Sequence, residues 1–158
     1  MKYLDEYRDP DLARSLLKNL QDRSPLNEPA RLMEICGTHT VAIFRSGLRQ
    51  LLPPWIQLIS GPGCPVCVTA NEDIDRAIWL SQQPGTIVTT FGDLVRVPGS
   101  SSSLNLERSR GADVRIVYAT LDALQIARDN PDKEVVFLGI GFETTVPTVA
   151  GAIKMAAE

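Results

Sequence analysis

Long apolar runs are missing from this sequence: no stretch approaches the roughly 20 residues that a membrane-spanning helix needs. A basic surplus is missing too. Lys and Arg number 16 against 19 Asp and Glu, a net charge of −3, so nucleic acid is a poor partner for this chain. The opening residues, Met1 to Pro10, are polar and acidic and contain no apolar region of a secretory signal. No internal repeat or low-complexity tail is visible. Cysteine is scarce and odd in number, 3 in 158 residues. Without an export signal, that count points to metal or redox chemistry in a reducing compartment, not to a disulfide framework. These absences predict a soluble cytoplasmic protein. The remainder is ordinary: 44% apolar and 22% charged residues. A chain of this length buries about 70% of its unfolded surface, enough for a core without staples.

Short β-rich runs alternate with amphipathic stretches. Leu12, Leu16, Leu17 and Leu20 recur at helical spacing behind Pro10 and Asp11, predicting a helix over 10–22. Arg31–Cys36 reads as a strand, followed by a helix through Val41, Phe44, Leu48 and Leu51 that ends at Pro53 and Pro54. Further strands are expected at Trp55–Ser60, Thr86–Phe91, Asp113–Ala119 and Lys133–Gly139. Helices are expected near Asn71–Gln82, with Ile74, Ile78 and Trp79 on one face, at Leu121–Asp129 and at Thr144–Glu158. Gly99–Ser103 reads as a loop. The alternation predicts an α/β fold of three layers: a mostly parallel sheet of about five strands, helices on both faces, residues 1–158 throughout. The last residues carry no Gly or Pro stop signal, so the pattern is that of a chain that continues in a longer protein.

The unusual residues fall after the strands. Cys36-Gly37-Thr38-His39-Thr40 follows the first, and Gly61-Pro62-Gly63-Cys64-Pro65-Val66-Cys67 the second. Phe91-Gly92-Asp93 follows the third, and Gly139-Ile140-Gly141-Phe142-Glu143-Thr144-Thr145 the fifth. Ligands of open α/β sheets bind outside the carboxyl ends of strands, so all cysteines and the only histidine are expected on one rim. Cys64 and Cys67 form a C-x-x-C pair at a helix entry, where sulfurs come within bonding range and helix-terminal amides favour thiolate. Two buried, inert cysteines are the plain alternative. Gly-Pro-Gly before them and Pro65 between them argue for an exposed, tightly turned backbone instead. Cys36 and His39, added to that pair, make a Cys3His set that would also suit structural zinc. A cysteine protease is disfavoured, because its Cys and His come from distant segments. Gly139-x-Gly141 lacks the third glycine and the lysine of phosphate-binding loops and reads as backbone packing. Asp93 and Arg96 read as a surface pair, and Glu107 and Asp122 as solvated helix charges.

At these residues the chain resembles the HypD family of nickel–iron hydrogenase maturation factors. Three segments carry the resemblance: M-E-I-C-G-T-H-T, S-G-P-G-C-P-V-C-V-T and G-I-G-F-E-T-T-V-P-T. T-F-G-D-L-V-R-V-P-G and R-G-A-D-V-R-I-V-Y support it, over a span from about Tyr7 to the end. The resemblance implies an assembly scaffold or accessory factor with redox-active thiols more than a turnover enzyme, on which the Fe(CN)2CO unit of the hydrogenase site is built. It implies that Cys36 holds the iron with a cysteine of a small HypC partner, with Gly37 and Thr38 beside it. His39 would hydrogen-bond the sulfur or a cyanide nitrogen. Cys64 and Cys67 would be the redox-active pair and Glu143 a residue of the third motif, with cyanide arriving from HypE and HypF proteins. The family motif carries a second histidine where this chain has Val41. Family members are longer and hold a 4Fe-4S centre in a further region, which is not expected in this chain. Two other readings stay open: a zinc-stabilised Cys3His binding module, and a thioredoxin-like thiol oxidoreductase.

Overall fold

The computed structural model describes residues 5–23 and 28–157. Met1 to Leu4 of the acidic opening and Glu158 of the closing helix lie outside them. The chain is α/β, with five strands among the described residues and helices alternating with them. It divides into two compact units, Met1–Gly63 and Cys64–Glu158. All strand pairs are parallel, as the alternation predicts, but they make two sheets, one of 2 strands and one of 3. Among the described residues no helix is long and apolar enough to cross a membrane.

The first unit opens with helix α1 (Pro10–Gln21). Asp9 caps it, its carboxylate accepting the backbone N–H groups of Asp11 at 2.8 Å and Leu12 at 3.1 Å, and Pro10 fits the first turn, where no amide is needed. Strand β1 (Ala30–Glu34) pairs in parallel with β2 (Ile56–Ser60), Glu34 standing opposite Ser60. Between them the single predicted helix is two: α2 (Gly37–Arg45) and α3 (Leu48–Leu51). Gly47 interrupts them with φ of +67°, a left-handed conformation that glycine adopts without a steric cost. The ladder closes where the Gly61 N–H donates to the Glu34 carbonyl at 2.7 Å. A Cβ at Gly61 would stand 2.8 Å from that oxygen, so the strands approach this closely only because the residue is glycine.

The second unit begins with the short helix α4 (Pro65–Val68), then α5 (Asn71–Ser81). Its sheet has the order β4 (Val114–Ile116), β3 (Thr86–Thr90), β5 (Glu134–Leu138). The β-branched run Thr86-Ile87-Val88-Thr89-Thr90 suits the central strand, where Ile87, Val88 and Thr89 are completely buried. Thr89 remains hydrogen-bonded there, its hydroxyl donating to the Val136 carbonyl at 3.1 Å. Ile74, Ala77 and Ile78 of α5 pack with Val88, Leu94, Val95, Leu104 and Val114 into one core. Trp79 does not join them: it lies well round the helix from Ile74 and is 59% exposed. Helix α6 (Leu104–Ser109), capped by the Ser103 hydroxyl, was not expected from the sequence. Helices α7 (Thr120–Asp129) and α8 (Val146–Ala156) complete the unit. Asp93 caps the turn at Leu94, its carboxylate accepting the Leu94 N–H at 3.0 Å, in place of the expected pairing with Arg96.

Glu107 corrects another expectation. It is 5% exposed, not a solvated charge, and its carboxylate accepts from the Ser102 hydroxyl and from Arg110 Nη1 at 2.9 Å. The Ser102 hydroxyl, followed by the Gln82 side chain, holds this carboxyl below its ordinary value of 4.5. A carboxyl lowered in the folded state stabilises the fold above its unfolded value, and that contribution is lost as pH falls through the folded value. Urea unfolding should therefore show stability dropping between about pH 6 and about pH 3, with a smaller drop in Glu107→Gln. Equal drops in both proteins would show that Glu107 contributes nothing to acid sensitivity.

Candidate functional site

Each unit carries chemistry of its own. In the first, β1 ends at Glu34 and the chain turns through Ile35 into α2, with Cys36 at the N-cap. Cys36 has extended backbone angles (φ −109°, ψ 120°), and its carbonyl accepts the Thr40 N–H at 2.9 Å, the first bond of the helix. Its sulfur makes no capping hydrogen bond. The thiol is free and half-buried, with Gly37 and Thr38 as the first helical residues beside it. Backbone N–H groups in the first turn of a helix lack intrahelical partners and favour negative charge nearby.

His39 shares that first turn. Its side chain is 68% exposed, which excludes a role as a satisfied core residue. Its Nδ1 stands 3.4 Å from Glu34 Oε1, and the same oxygen accepts the Cys36 N–H at 2.9 Å. Glu34 therefore joins the site, and sequence reasoning missed it. The available signal was its place two residues before Cys36 in the M-E-I-C segment, which lets an end-of-strand side chain reach the following turn.

In the second unit Cys64 caps α4 and Cys67 lies one turn on, their sulfurs 3.3 Å apart. Both are free thiols, Cys64 half-buried and Cys67 exposed. Pro65 at the first helical position pre-sets the turn, and the Thr69 hydroxyl ties its end by donating to the Pro65 carbonyl at 2.7 Å. Val66 between the cysteines packs against the core. A groove of about 640 Å³ runs beside this helix, lined by Val68, Thr69 and Ala70 and by Leu138, Gly139 and Ile140 at the carboxyl end of β5. The dithiol thus sits by the strand edge at which the third motif leaves the sheet.

Glu143 begins a 3-10 turn, Glu143–Thr145, just before α8, and is exposed. The glycine at 141 serves packing, since a Cβ there would run into the Thr145 side chain. Phe91-Gly92-Asp93 leaves β3 at the same edge of the three-stranded sheet. The structure thus brings Cys36, His39 and Glu34 together in one unit and Cys64 with Cys67 in the other, with Glu143 at its strand edge. Among the described residues, no three His, Cys, Asp or Glu side chains are grouped as a metal site. The Cys3His set of the zinc reading would have to draw two ligands from each unit.

Comparison with known proteins agrees with these motifs. The HypD family model, described as the hydrogenase formation hypA family, matches residues 11–158. The Escherichia coli K12 protein named hydrogenase maturation factor HypD is 48% identical over 161 residues, covering 99% of this chain and 43% of its own length. The Rhizobium leguminosarum protein of that name is 54% identical over 160 residues, covering 99% of this chain and 41% of its own length. The HypD of Rhodobacter capsulatus is 50% identical over 162 residues, 99% of this chain and 43% of its own length. The chain spans about two-fifths of the length of these curated relatives. By a family match over nearly all its residues, joined to identities near one half, the chain belongs to the HypD family of hydrogenase formation proteins.

Proposed function

We propose that this chain works in the cytoplasm as part of a hydrogenase maturation scaffold, on which the Fe(CN)2CO unit of a nickel–iron site is assembled as cargo. The observation that carries the reading is the state of Cys36: a free, half-buried thiol whose backbone is held by Glu34 and the helix while its sulfur caps nothing. A soft thiolate suits low-spin iron carrying cyanide and carbon monoxide far better than a carboxylate does. Cys36 holds the iron, a cysteine of a HypC-like partner shares it, and HypE- and HypF-like proteins deliver cyanide. Gly37 and Thr38 present first-turn amides beside the sulfur, and His39 stands in the same turn as a hydrogen-bonding group for the site.

Cys64 and Cys67 are the redox partners of that assembly. Two thiols closing to one disulfide release two electrons and two protons, so the pair serves as a two-electron reductant. From 3.3 Å the sulfurs need only approach to the roughly 2.05 Å of a disulfide. Glu143, exposed at the strand edge of the same unit, is the carboxylate of the third motif. A 4Fe-4S centre takes about four thiolates. This chain has 3 cysteines, all with other roles, so it builds no such cluster alone.

Two measurements test the reading. After mild oxidation, alkylation and mass spectrometry should find Cys64 joined to Cys67 with Cys36 still alkylated. A bond from Cys36 to either one would contradict the assigned roles. The chain copurified anaerobically with a HypC-like partner should hold iron, measured by atomic emission. Cys36→Ala should lose it, about tenfold or more as expected for a lost ligand, and Cys64→Ser should keep it. Full iron content in Cys36→Ala would overturn the role of Cys36.

A further inference from the structure

We infer that Glu34 is the positioning residue of the Cys36 site, holding the His39 ring so that Nδ1 carries the proton and Nε2 faces outward as a hydrogen-bond acceptor. One carboxylate oxygen does both tasks. Glu34 Oε1 accepts the Cys36 N–H at 2.9 Å and lies 3.4 Å from His39 Nδ1. The contact is electrostatic, beyond ordinary hydrogen-bond length: a bare nitrogen would set its lone pair against the carboxylate, so the nitrogen facing it is the one that bears hydrogen. In a neutral imidazole the other nitrogen is then bare.

Glu34 is itself well placed to act as a fixed point. It is the last residue of β1, its carbonyl is tied to the Gly61 N–H at 2.7 Å, and its side chain is 28% exposed. His39 is the more exposed partner, at 68%, and its ring is the one to be oriented. The consequence concerns what His39 meets. A bare Nε2 accepts, so its partner is a hydrogen-bond donor: an N–H, O–H or S–H group on an arriving protein or ligand. A cyanide nitrogen, which also accepts, is not that partner while the ring is neutral. Of the sulfur and the cyanide nitrogen expected as partners of His39, only a protonated sulfur suits a neutral ring held this way.

The purpose assigned to the arrangement rests on Cys36 as the iron-holding thiol, but the geometry does not, and the test uses the metal-free chain. The sequence contains 1 histidine, so nitrogen-15 histidine labelling gives a spectrum with no assignment problem. With the solution at about pH 9, where an ordinary imidazole is neutral, the two ring nitrogens report the tautomer directly. The wild-type chain should show Nδ1 protonated and Nε2 bare. Glu34→Leu, which fills similar space without the charge or an acceptor, should shift the ratio toward the Nε2–H form by about threefold or more, the effect of one lost partly exposed electrostatic contact. Glu34→Gln keeps an acceptor oxygen and should restore the wild-type tautomer. A wild-type chain dominated by the Nε2–H form would overturn the inference, even if Glu34→Leu fails to fold. So would an unchanged ratio in a folded Glu34→Leu, judged by circular dichroism. The expected tautomer in a wild-type chain whose complex with a HypC-like partner holds no iron would count against the iron reading alone.

Discussion

In the first unit everything chemical depends on the parallel pairing of β1 with β2. Parallel strands leave a sheet at the same edge, so the turn after Glu34 and the turn after Ser60 emerge side by side. The last bond of the ladder, from the Gly61 N–H to the Glu34 carbonyl, fixes the residue whose side chain then reaches the Cys36 amide and His39. Backbone and side chain of Glu34 thus serve two ends: one closes the sheet, the other organises the first turn of α2. Gly61 is required by the same closeness, because a methyl group would collide with the carbonyl that the ladder needs. A helix that starts directly from such a strand end presents a side chain at its N-cap with little freedom to wander.

The second unit places its chemistry differently. Its buried cluster, from Ile74 to Val114, packs on Val88 of the central strand β3. Against that core Val66 anchors the four-residue helix that carries Cys64 and Cys67. Reversible disulfide formation needs sulfurs that are near each other and reachable, and a short turn pinned by one apolar residue supplies both. The first unit by contrast leaves Leu32, Met33, Ile35 and Phe44 exposed, so its site stands on a sheet with little aliphatic core of its own.

The sequence made the motif positions and the order of elements legible. Strand–helix alternation is written in local patterns, and Gly-Pro-Gly-Cys-Pro admits few backbone conformations. The partition into two sheets was not legible, since alternation does not say which strands pair. Trp79 is apolar yet exposed, because it stands too far round the helix from Ile74 to share its buried face. Gly47 lies inside a run of helical apolar spacing that masks the break its positive φ makes after α2. Glu107 and Glu34 were misread or missed for one shared reason. A carboxylate is assumed to be solvated until its partners are known, and the partners that bury or orient these two are set by the fold. Within the Cys36 motif the cysteine and histidine were found, and the acid that ties them was not.

The claim on which the account turns is that Cys36 holds the iron carrying cyanide and carbon monoxide. Infrared spectroscopy of the anaerobic complex with a HypC-like partner tests it most directly, because bound CO and CN stretch in a window that protein leaves empty. The account predicts those bands in the wild-type complex, weakened bands in His39→Ala, and none in Cys36→Ala with the fold intact. Undiminished bands in Cys36→Ala would contradict it.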